Sequence, residues 1–240
     1  DDKSGYRKAI WSASENIEID PDTGEWTALW AGNAEITAKS KWQRDNPSSI
    51  PDSAGGTAAS KTVKFTITSD GDCFSIGIPK GTPEDEGKGM LQTVMEKAQA
   101  AHPQEIDKLK IFTARGASLE EKDFVYIRGD FPNLKELDLT KASVESLPDG
   151  ACKGMTELET VKLPDRLSKI SPNAFRDCTA LSNVEISSGV TFIGDSAFSG
   201  CTSLSGKMIT IHAVTPPECS EYPGCFEGVE IKGIKAPYGC

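Results

Sequence analysis

The sequence is poor in the residues and motifs on which most catalytic and metal sites depend. It has 2 histidines, His102 and His212, and no HExxH, GxSxG, Walker-type or GxGxxG motif. No apolar run approaches the ~20 residues that a membrane-spanning helix needs. There is no basic stripe or arginine cluster, and the net charge is -10, which argues against nucleic acid and acidic lipid as partners. These absences predict a protein that is not an enzyme and has no cofactor or metal.

The composition is that of a chain that folds, with 37% hydrophobic and 26% charged residues. The first residues, Asp1-Asp2-Lys3-Ser4-Gly5, lack the basic and apolar regions of an export signal. Two alternatives stay open: a cytosolic protein, or a chain that follows a removed export signal.

Internal repeats are the main positive signal. Segments of the form L-x-x-Φ-x-Φ, where Φ is aliphatic, begin at Leu134, Leu158 and Leu181, and Leu204 follows at the same period of 23 or 24 residues. The second half of the unit also recurs, as Ile170–Cys178 and Ile193–Cys201, with a divergent copy at Leu147–Met155.

These units predict a solenoid, because a single unit cannot bury its own apolar face and must stack on its neighbours. A weaker unit begins at Ile106, and Ile209-Thr210-Ile211 supplies a last strand after a small insertion. We therefore expect a right-handed superhelix with a parallel β-sheet of about five strands.

The chain divides into two predicted domains. Residues 1–80 are expected to form an all-β, sandwich-like domain, in which Thr62–Thr68 and Cys73–Ile78 form a hairpin around Asp70-Gly71. Residues 81–89 are a predicted linker. Residues 90–240 are the predicted leucine-rich-repeat domain, opened by a capping helix at 90–101 whose apolar residues recur at helical spacing.

The middle position of each Φ-x-Φ points outward and defines a candidate binding surface. Its central column is Lys110, Asp138, Lys162, Glu185 and Thr210. The flanking columns are Glu136, Thr160 and Asn183 on one side, and Phe112, Thr140, Ser187 and His212 on the other. One interpretation is a self-satisfied, solvated face, since alternating charges on adjacent strands stabilise each other modestly. The functional interpretation is a polar surface for a protein or glycan partner.

All four tryptophans lie in the first 42 residues. Trp11 and Trp42 are candidates for stacking on sugars or anchoring an interface. Trp26 and Trp30 share a face on a straight strand, and that face is expected to be the core.

Cysteines and acidic residues give weaker patterns. Asp20-x-Asp22-x-Gly24 begins like a calcium loop, but the twelfth position is Ala31, so a hairpin turn is favoured. Cys178 and Cys201 occupy repeat core positions, where a thiol is inert. Cys219, Cys225 and Cys240 could pair near the C-terminus, whereas their spacing with His212 fits no structural zinc pattern.

The units at Ala174–Leu181 and Ala197–Leu204 resemble the BspA-like leucine-rich repeats of Bacteroidetes surface proteins, and the resemblance covers roughly residues 87–240. It implies export and attachment to the outer membrane, commonly as a lipoprotein. It also implies a non-catalytic adhesion or protein-interaction role, with host matrix proteins as one partner class. The alternative is a glycan-binding accessory protein that uses the tryptophan-rich N-terminal domain.

Overall fold

A computed structural model describes residues 8–14, 16–19, 26–29, 32–41, 60–67, 73–81, 83, 85–98, 103–213, 215, 217–219 and 224–235. The chain forms two compact units, Asp1–Thr68 and Ser69–Cys240. The predicted division at 80 and 90 stays a prediction, but residues 73–89 belong to the second unit by their contacts. Among the described residues, no helix has the length and apolar character needed to cross a membrane.

The first unit contains antiparallel strands. They are β1 (Lys8–Ala13), β2 (Ile17–Ile19), β3 (Trp26–Ala28), β4 (Gly32–Lys41) and β5 (Ser60–Ile67). β4 lies between β1 and β5 in one sheet, and β2 pairs with β3 in another. The predicted turn Asp20–Gly24 falls between β2 and β3 but lies outside the described residues. The sandwich arrangement of this unit stays a prediction.

The second unit is a repeat solenoid built on a seven-stranded parallel sheet. Its strands are β6 (Phe74–Ile78), β7 (Lys108–Thr113), β8 (Glu136–Lys141), β10 (Thr160–Lys162), β12 (Asn183–Ile186), β14 (Met208–Ile211) and β16 (Gly233–Lys235). They lie side by side in this order. A second parallel sheet contains β9 (Ser146–Leu147), β11 (Lys169–Ile170), β13 (Phe192–Ile193) and β15 (Glu218–Cys219).

Two details of the predicted topology are wrong. The sheet has seven strands instead of five, because Phe74–Ile78 and Gly233–Lys235 extend it at its two ends. Phe74–Ile78 does not form a hairpin with the preceding strand; it pairs in parallel with β7, and β5 pairs with β4. A parallel partner requires a long crossover connection, and the segment between β6 and β7 supplies one.

Aliphatic and aromatic ladders fill the solenoid, as the repeats predict. Leu137, Val161 and Val184 lie opposite one another on β8, β10 and β12, and each is at most 4% exposed. On the other side of the coil, Phe198 stacks between Phe175 and Phe226 at centroid distances of 5.2 and 5.0 Å. Each coil is therefore sealed by its two neighbours, which is the basis of stability in stacked repeats.

Two helices lie among the first strands of the sheet. Helix α1 (Met90–Ala98) follows β6, and α2 (Glu121–Asp130) connects β7 to β8. α1 covers most of the predicted helix at 90–101, and it buries Leu91, Val94 and Met95. Because β6 precedes α1, this helix does not open the array, and its role as a cap stays a prediction. The sequence reasoning did not anticipate α2, although Glu120 and Asp123 form a capping box at its start.

The turns of each coil depend on left-handed backbone conformations at two repeating positions. The first is occupied by Gly150, Asn173 and Ser196, with φ between 53° and 60°. The second is occupied by Gly154, Asp177 and Gly200, with φ between 62° and 77°. Glycine, asparagine and aspartate tolerate this region better than most residues, and they occupy five of these six positions, while Ser196 occupies the sixth.

Candidate functional site

The central column of outward side chains is continuous across the sheet. Lys110 lies opposite Asp138, Asp138 opposite Lys162, and Lys162 opposite Glu185. Glu185 in turn lies opposite Thr210. The first flanking column is also in register, since Thr160 lies between Glu136 and Asn183. We name the outward side of strands β7 to β14 the polar face.

The second flanking column is less regular than predicted. A register shift between Lys110 and Phe112 places Phe112 opposite Lys141 instead of Thr140. Ser187 is buried, and its hydroxyl donates to the carbonyl of Pro164 at 2.9 Å, so it serves the fold. His212, in contrast, is exposed and remains on the surface.

In the N-terminal half of the polar face, the charged groups of Lys162, Glu136 and Asp138 all have partners within the chain. The ammonium of Lys162 pairs with the carboxylate of Glu136, which lies on the neighbouring strand in the flanking column. This hydrogen bond raises the pKa of Lys162. The carboxylate of Asp138 accepts hydrogen bonds from the backbone N–H and the hydroxyl of Thr140, at 2.9 and 2.7 Å. This half therefore matches the self-satisfied interpretation.

In the C-terminal half of the polar face, the charge of Glu185 is less compensated. Nε2 of His212 lies 3.5 Å from Oε2 of Glu185, and both side chains are at least half exposed. A contact this open to water contributes little to stability. Glu185 and His212 therefore keep most of their capacity to interact with a partner.

A depression of about 440 Å³ opens beside these residues. Polar and apolar atoms line it, and they come from strands β10 and β12, from the loops that follow them, from Thr140 of β8 and from His212 after β14. Its lining residues are Thr140, Thr160, Val161, Lys162, Leu163, Asp165, Asn183, Glu185, Ser187, Ser188 and His212. Seven residues of the predicted columns line it together: Thr140, Thr160, Lys162, Asn183, Glu185, Ser187 and His212. Lys110, Phe112, Glu136, Asp138 and Thr210 lie outside its lining.

Three surface residues of this region were missed by the sequence reasoning. Asp165 and Ser188 follow the predicted strands and line the depression. Met208 precedes the predicted strand Ile209–Ile211, and it is 48% exposed. The insertion after Leu204 hid its register, although the position matches Asn183 when β14 is aligned with β12.

The tryptophan side chains of the predicted site lie outside the described residues. The backbone of Trp11 lies in β1, but its side chain, like all of Trp42, is not among the described residues. The glycan-binding alternative therefore stays a prediction.

The cysteines have structural surroundings. Cys152, Cys178 and Cys201 are buried, and burial raises the pKa of Cys152 to about 12. A hydrogen bond to the Cys201 thiol, together with burial, raises the pKa of Cys178. The Sγ atoms of Cys178 and Cys201 donate to the carbonyls of Cys152 and Phe175, both at 3.0 Å. Buried thiols with raised pKa values are poor nucleophiles.

Cys219 and Cys225 form a disulfide, so the pairing of C-terminal cysteines is confirmed for these two. Neither sulfur is then free to join His212 around a zinc ion. Cys240 lies outside the described residues. Within the described part of the chain, no group of three or more His, Cys, Asp or Glu residues could hold a metal ion.

Comparison with protein families agrees with this architecture. Residues 129–239 match the family model described as the BspA type leucine rich repeat region, in 6 copies. No curated protein matches the chain. The matched region contains the strands from β8 to β16 and the polar depression, and repeats of this family generally mediate protein binding without catalysis. Residues 129–239 of this chain are therefore similar to BspA-type leucine-rich-repeat regions.

Proposed function

We propose that this chain is an exported, non-catalytic adhesion module that binds a protein partner through the polar face. We further propose that a lipid attaches it to the outer membrane of a Bacteroidetes cell. The proposed class of partner is a matrix protein. Solenoids commonly bind through an extended face of this kind.

The observation that carries the proposal is the parallel register of the strands. It holds outward side chains from five neighbouring strands, from Lys110 to Thr210, at fixed spacings of about 4.8 Å. The buried ladders on the inner side of the sheet hold the backbone of these strands in place. A surface that is rigid before binding loses less entropy when it docks, which favours recognition of a folded partner.

Two further observations support export. The disulfide Cys219–Cys225 suits an oxidising compartment. The three core thiols are buried, so they are protected from oxidation there. Proteins with this type of repeat are typically exposed at the cell surface.

The proposal is tested by measuring binding of the intact chain to a panel of extracellular matrix proteins with biolayer interferometry. Asn183→Arg introduces a large side chain at an exposed position of the polar face. Asp130→Lys changes an exposed position at the end of α2 and serves as the control. We expect Asn183→Arg to weaken binding at least about tenfold, which is ~1.4 kcal/mol, and the control to bind like the wild type. Binding that is equal in both variants, or no binding to any matrix protein, would contradict the proposal.

A further inference from the structure

We propose that two copies of this chain associate face to face through the polar face, as a weak dimer with two-fold symmetry. The order of the charges in the central column carries this inference. It goes beyond the proposed function and does not depend on it.

The central column alternates in sign over four neighbouring strands. Lys110 on β7 is followed by Asp138 on β8, by Lys162 on β10 and by Glu185 on β12. The column therefore carries plus, minus, plus and minus at a spacing of about 4.8 Å. Taken from the opposite end, the same column has the opposite sign at every position. It is therefore complementary to a reversed copy of itself.

A two-fold axis produces that reversed copy. When the axis lies in the interface, parallel to the strands and midway between β8 and β10, β7 of one copy faces β12 of the other, and β8 faces β10. Lys110 of each copy then faces Glu185 of the other. Asp138 of each copy faces Lys162 of the other. Because symmetry repeats both contacts, four pairs of opposite charge form in one interface, and two-fold dimers are the commonest symmetric assemblies.

The same charges disfavour the neighbouring arrangements. An axis along β10 would place Lys162 opposite its own copy and Asp138 opposite Glu185, so both contacts would join like charges. An axis along β8 would place Asp138 opposite its own copy and Lys110 opposite Lys162. Repulsion of this kind excludes the adjacent registers, while attraction favours the one between β8 and β10.

The first flanking column is compatible with the favoured arrangement. Its members on the same four strands are Lys108, Glu136, Thr160 and Asn183. Across the axis, Glu136 faces Thr160 of the second copy. Lys108 faces Asn183 of the second copy. Each charged group therefore faces a neutral polar group that can form a hydrogen bond with it.

The outer pair of the central column lacks strong partners within one chain. Among the described residues, no carboxylate forms an ion pair with Lys110. The Glu185 side chain is 61% exposed, and its contact with His212 has a length of 3.5 Å. A second copy would supply each of these two charged groups with an opposite charge.

The inner pair has partners within the chain that it can exchange. The ammonium of Lys162 pairs with Glu136, and the Lys162 side chain is 49% exposed. Asp138 accepts its hydrogen bonds from Thr140. An exposed ion pair contributes about 0–1 kcal/mol, so contacts across the interface can replace it at little cost. The outer pair therefore decides whether the dimer forms.

The size of the face indicates how strong the dimer is. Four strands with three outward positions each span roughly 20 Å in both directions, side chains included. That area is about half of the ~800 Å² that each partner buries in a standard interface. The polar depression can stay hydrated within it. We therefore expect a dimer that dissociates readily and is populated at high protein concentration.

Salt should act on this dimer in a characteristic way. Each copy has a net charge of -10, so two copies repel each other at long range. At about 0.1 M ionic strength the Debye length is ~10 Å, which screens this repulsion more than it screens charges in contact. At about 1 M the Debye length is ~3 Å, and the contacts are screened as well. We expect association near 0.1 M salt and its loss near 1 M.

Sedimentation equilibrium of the intact chain at about 0.1 M salt measures the association. Glu185→Lys and Lys110→Glu each place like charges opposite one another at two symmetric contacts. We expect each variant alone to raise the dissociation constant of the dimer at least about tenfold. Asp130→Lys makes the same change of charge as Glu185→Lys at an exposed position of α2, and it should associate like the wild type.

Combining the two reversals distinguishes this dimer from other associations. The double variant has opposite charges at the outer contacts again. A 1:1 mixture of the two single variants also forms a mixed dimer in which every outer contact joins opposite charges. Within one chain the two positions are three strands apart, about 14 Å, so they cannot compensate each other there. We expect the double variant and the mixture to associate within about threefold of the wild type.

Three results would overturn the inference. They are a wild-type chain that stays monomeric up to about 1 mM, single variants that associate like the wild type, and a mixture of the single variants that stays monomeric. None of them bears on the proposed function, which the binding of matrix proteins tests separately.

Discussion

Gly194 lies where two neighbouring coils pass so closely that a methyl group has no room. A Cβ atom at this position would lie 2.5 Å from the backbone nitrogen of Pro172. The obstacle is backbone from the preceding coil, so it cannot rotate away as a side chain could. The repeat therefore depends on glycine here for space and not for a left-handed conformation.

We expect Gly194→Ala to lower the free energy of unfolding by about 1–3 kcal/mol, since the coils must separate to admit the methyl group. Urea denaturation measures this change. Gly129→Ala is the matched control, because nothing lies within 4 Å of its Cβ position and the residue lies in α2. In a helix, alanine is favoured over glycine by about 0.5–1 kcal/mol, so the control should be neutral or stabilised. Equal destabilisation of both variants would show that the close approach at Gly194 is not limiting.

The residues of the polar face could be predicted from the sequence, but not all of their contacts. The L-x-x-Φ-x-Φ pattern determines which side chains point outward, and Asp138, Lys162 and Glu185 lie in one column as the pattern indicates. The ion pairs were not predictable. Lys162 has three carboxylates on neighbouring positions, and its side-chain rotamer, which the repeat does not determine, selects Glu136. For the same reason, the depression could not be located from sequence.

Asp123 connects the two helices at the first strands of the sheet. Its carboxylate is fully buried, and Oδ1 accepts from the backbone N–H of Leu91 at 2.8 Å while Oδ2 accepts from that of Glu120 at 2.9 Å. One side chain thus binds the start of α1 and the residue before α2. Gly89 makes the approach possible, because a Cβ there would lie 2.4 Å from Oδ1.

We expect Asp123→Asn to lower the free energy of unfolding by about 1–3 kcal/mol, because the amide NH₂ group would face one of the two backbone N–H donors. Burial raises the pKa of Asp123, although its backbone hydrogen bonds oppose this. A raised folded-state pKa stabilises the fold below the ordinary aspartate value of about 4. That contribution is lost as the pH rises through the folded-state pKa.

The stability difference between the wild type and Asp123→Asn should therefore be largest in acid and shrink as the pH rises. Urea denaturation between about pH 3 and pH 7 measures it. Asp130→Asn removes an exposed carboxylate from the end of the same helix, and it should change stability by less than about 0.5 kcal/mol at neutral pH. A difference that grows with pH would contradict the expected direction.

The disulfide joins β15 to the last turn of the solenoid. Cys225 occupies the buried position that Ala197 has in the preceding coil, since the N–H of Phe198 donates to its carbonyl. The two cysteines are 6 residues apart, and closing so short a loop is worth about 2 kcal/mol in the chain-entropy account.

We expect Cys219→Ser to lower the free energy of unfolding by about that amount. A reducing agent should lower the stability of the wild type in the same way and leave the variant unchanged. Cys73→Ser replaces a free, half-buried cysteine and should retain the response to the reducing agent. A wild type that is equally stable with and without the reducing agent would argue that the disulfide does not stabilise the last coil.

The two end strands of the seven-stranded sheet, β6 and β16, show why local sequence patterns could not predict the rest of the fold. Cys73–Ile78 follows Asp70-Gly71 and an alternating strand, which is the usual pattern of a hairpin. The same residues also suit a parallel strand, and the choice was decided by the distant partner β7. Gly233-Ile234-Lys235 is too short to be recognised without β14 beside it. In contrast, the strands from β8 to β12 were predictable because the repeat itself supplies the register.

At the scale of the whole solenoid, we expect a destabilising substitution in one coil to affect mainly the coils next to it. In the second unit each coil is sealed mainly by its two neighbours, as the stack of Phe175, Phe198 and Phe226 illustrates. Stability is then approximately a sum of terms from single coils and from adjacent pairs. A cavity at one end should loosen the adjacent coils more than those at the other end.

We expect Phe198→Ala to cost about 3–5 kcal/mol, since it removes a fully buried ring from the middle of the stack. Hydrogen exchange measured on the intact chain should then accelerate most in β12, β13 and β14 and least in β7. Leu137→Ala is the counterpart from the other end, and it should accelerate exchange most in β7, β8 and β10. If both variants accelerate exchange uniformly from β7 to β14, the array opens as one cooperative unit, and the polar face would be lost as a whole whenever any coil opens.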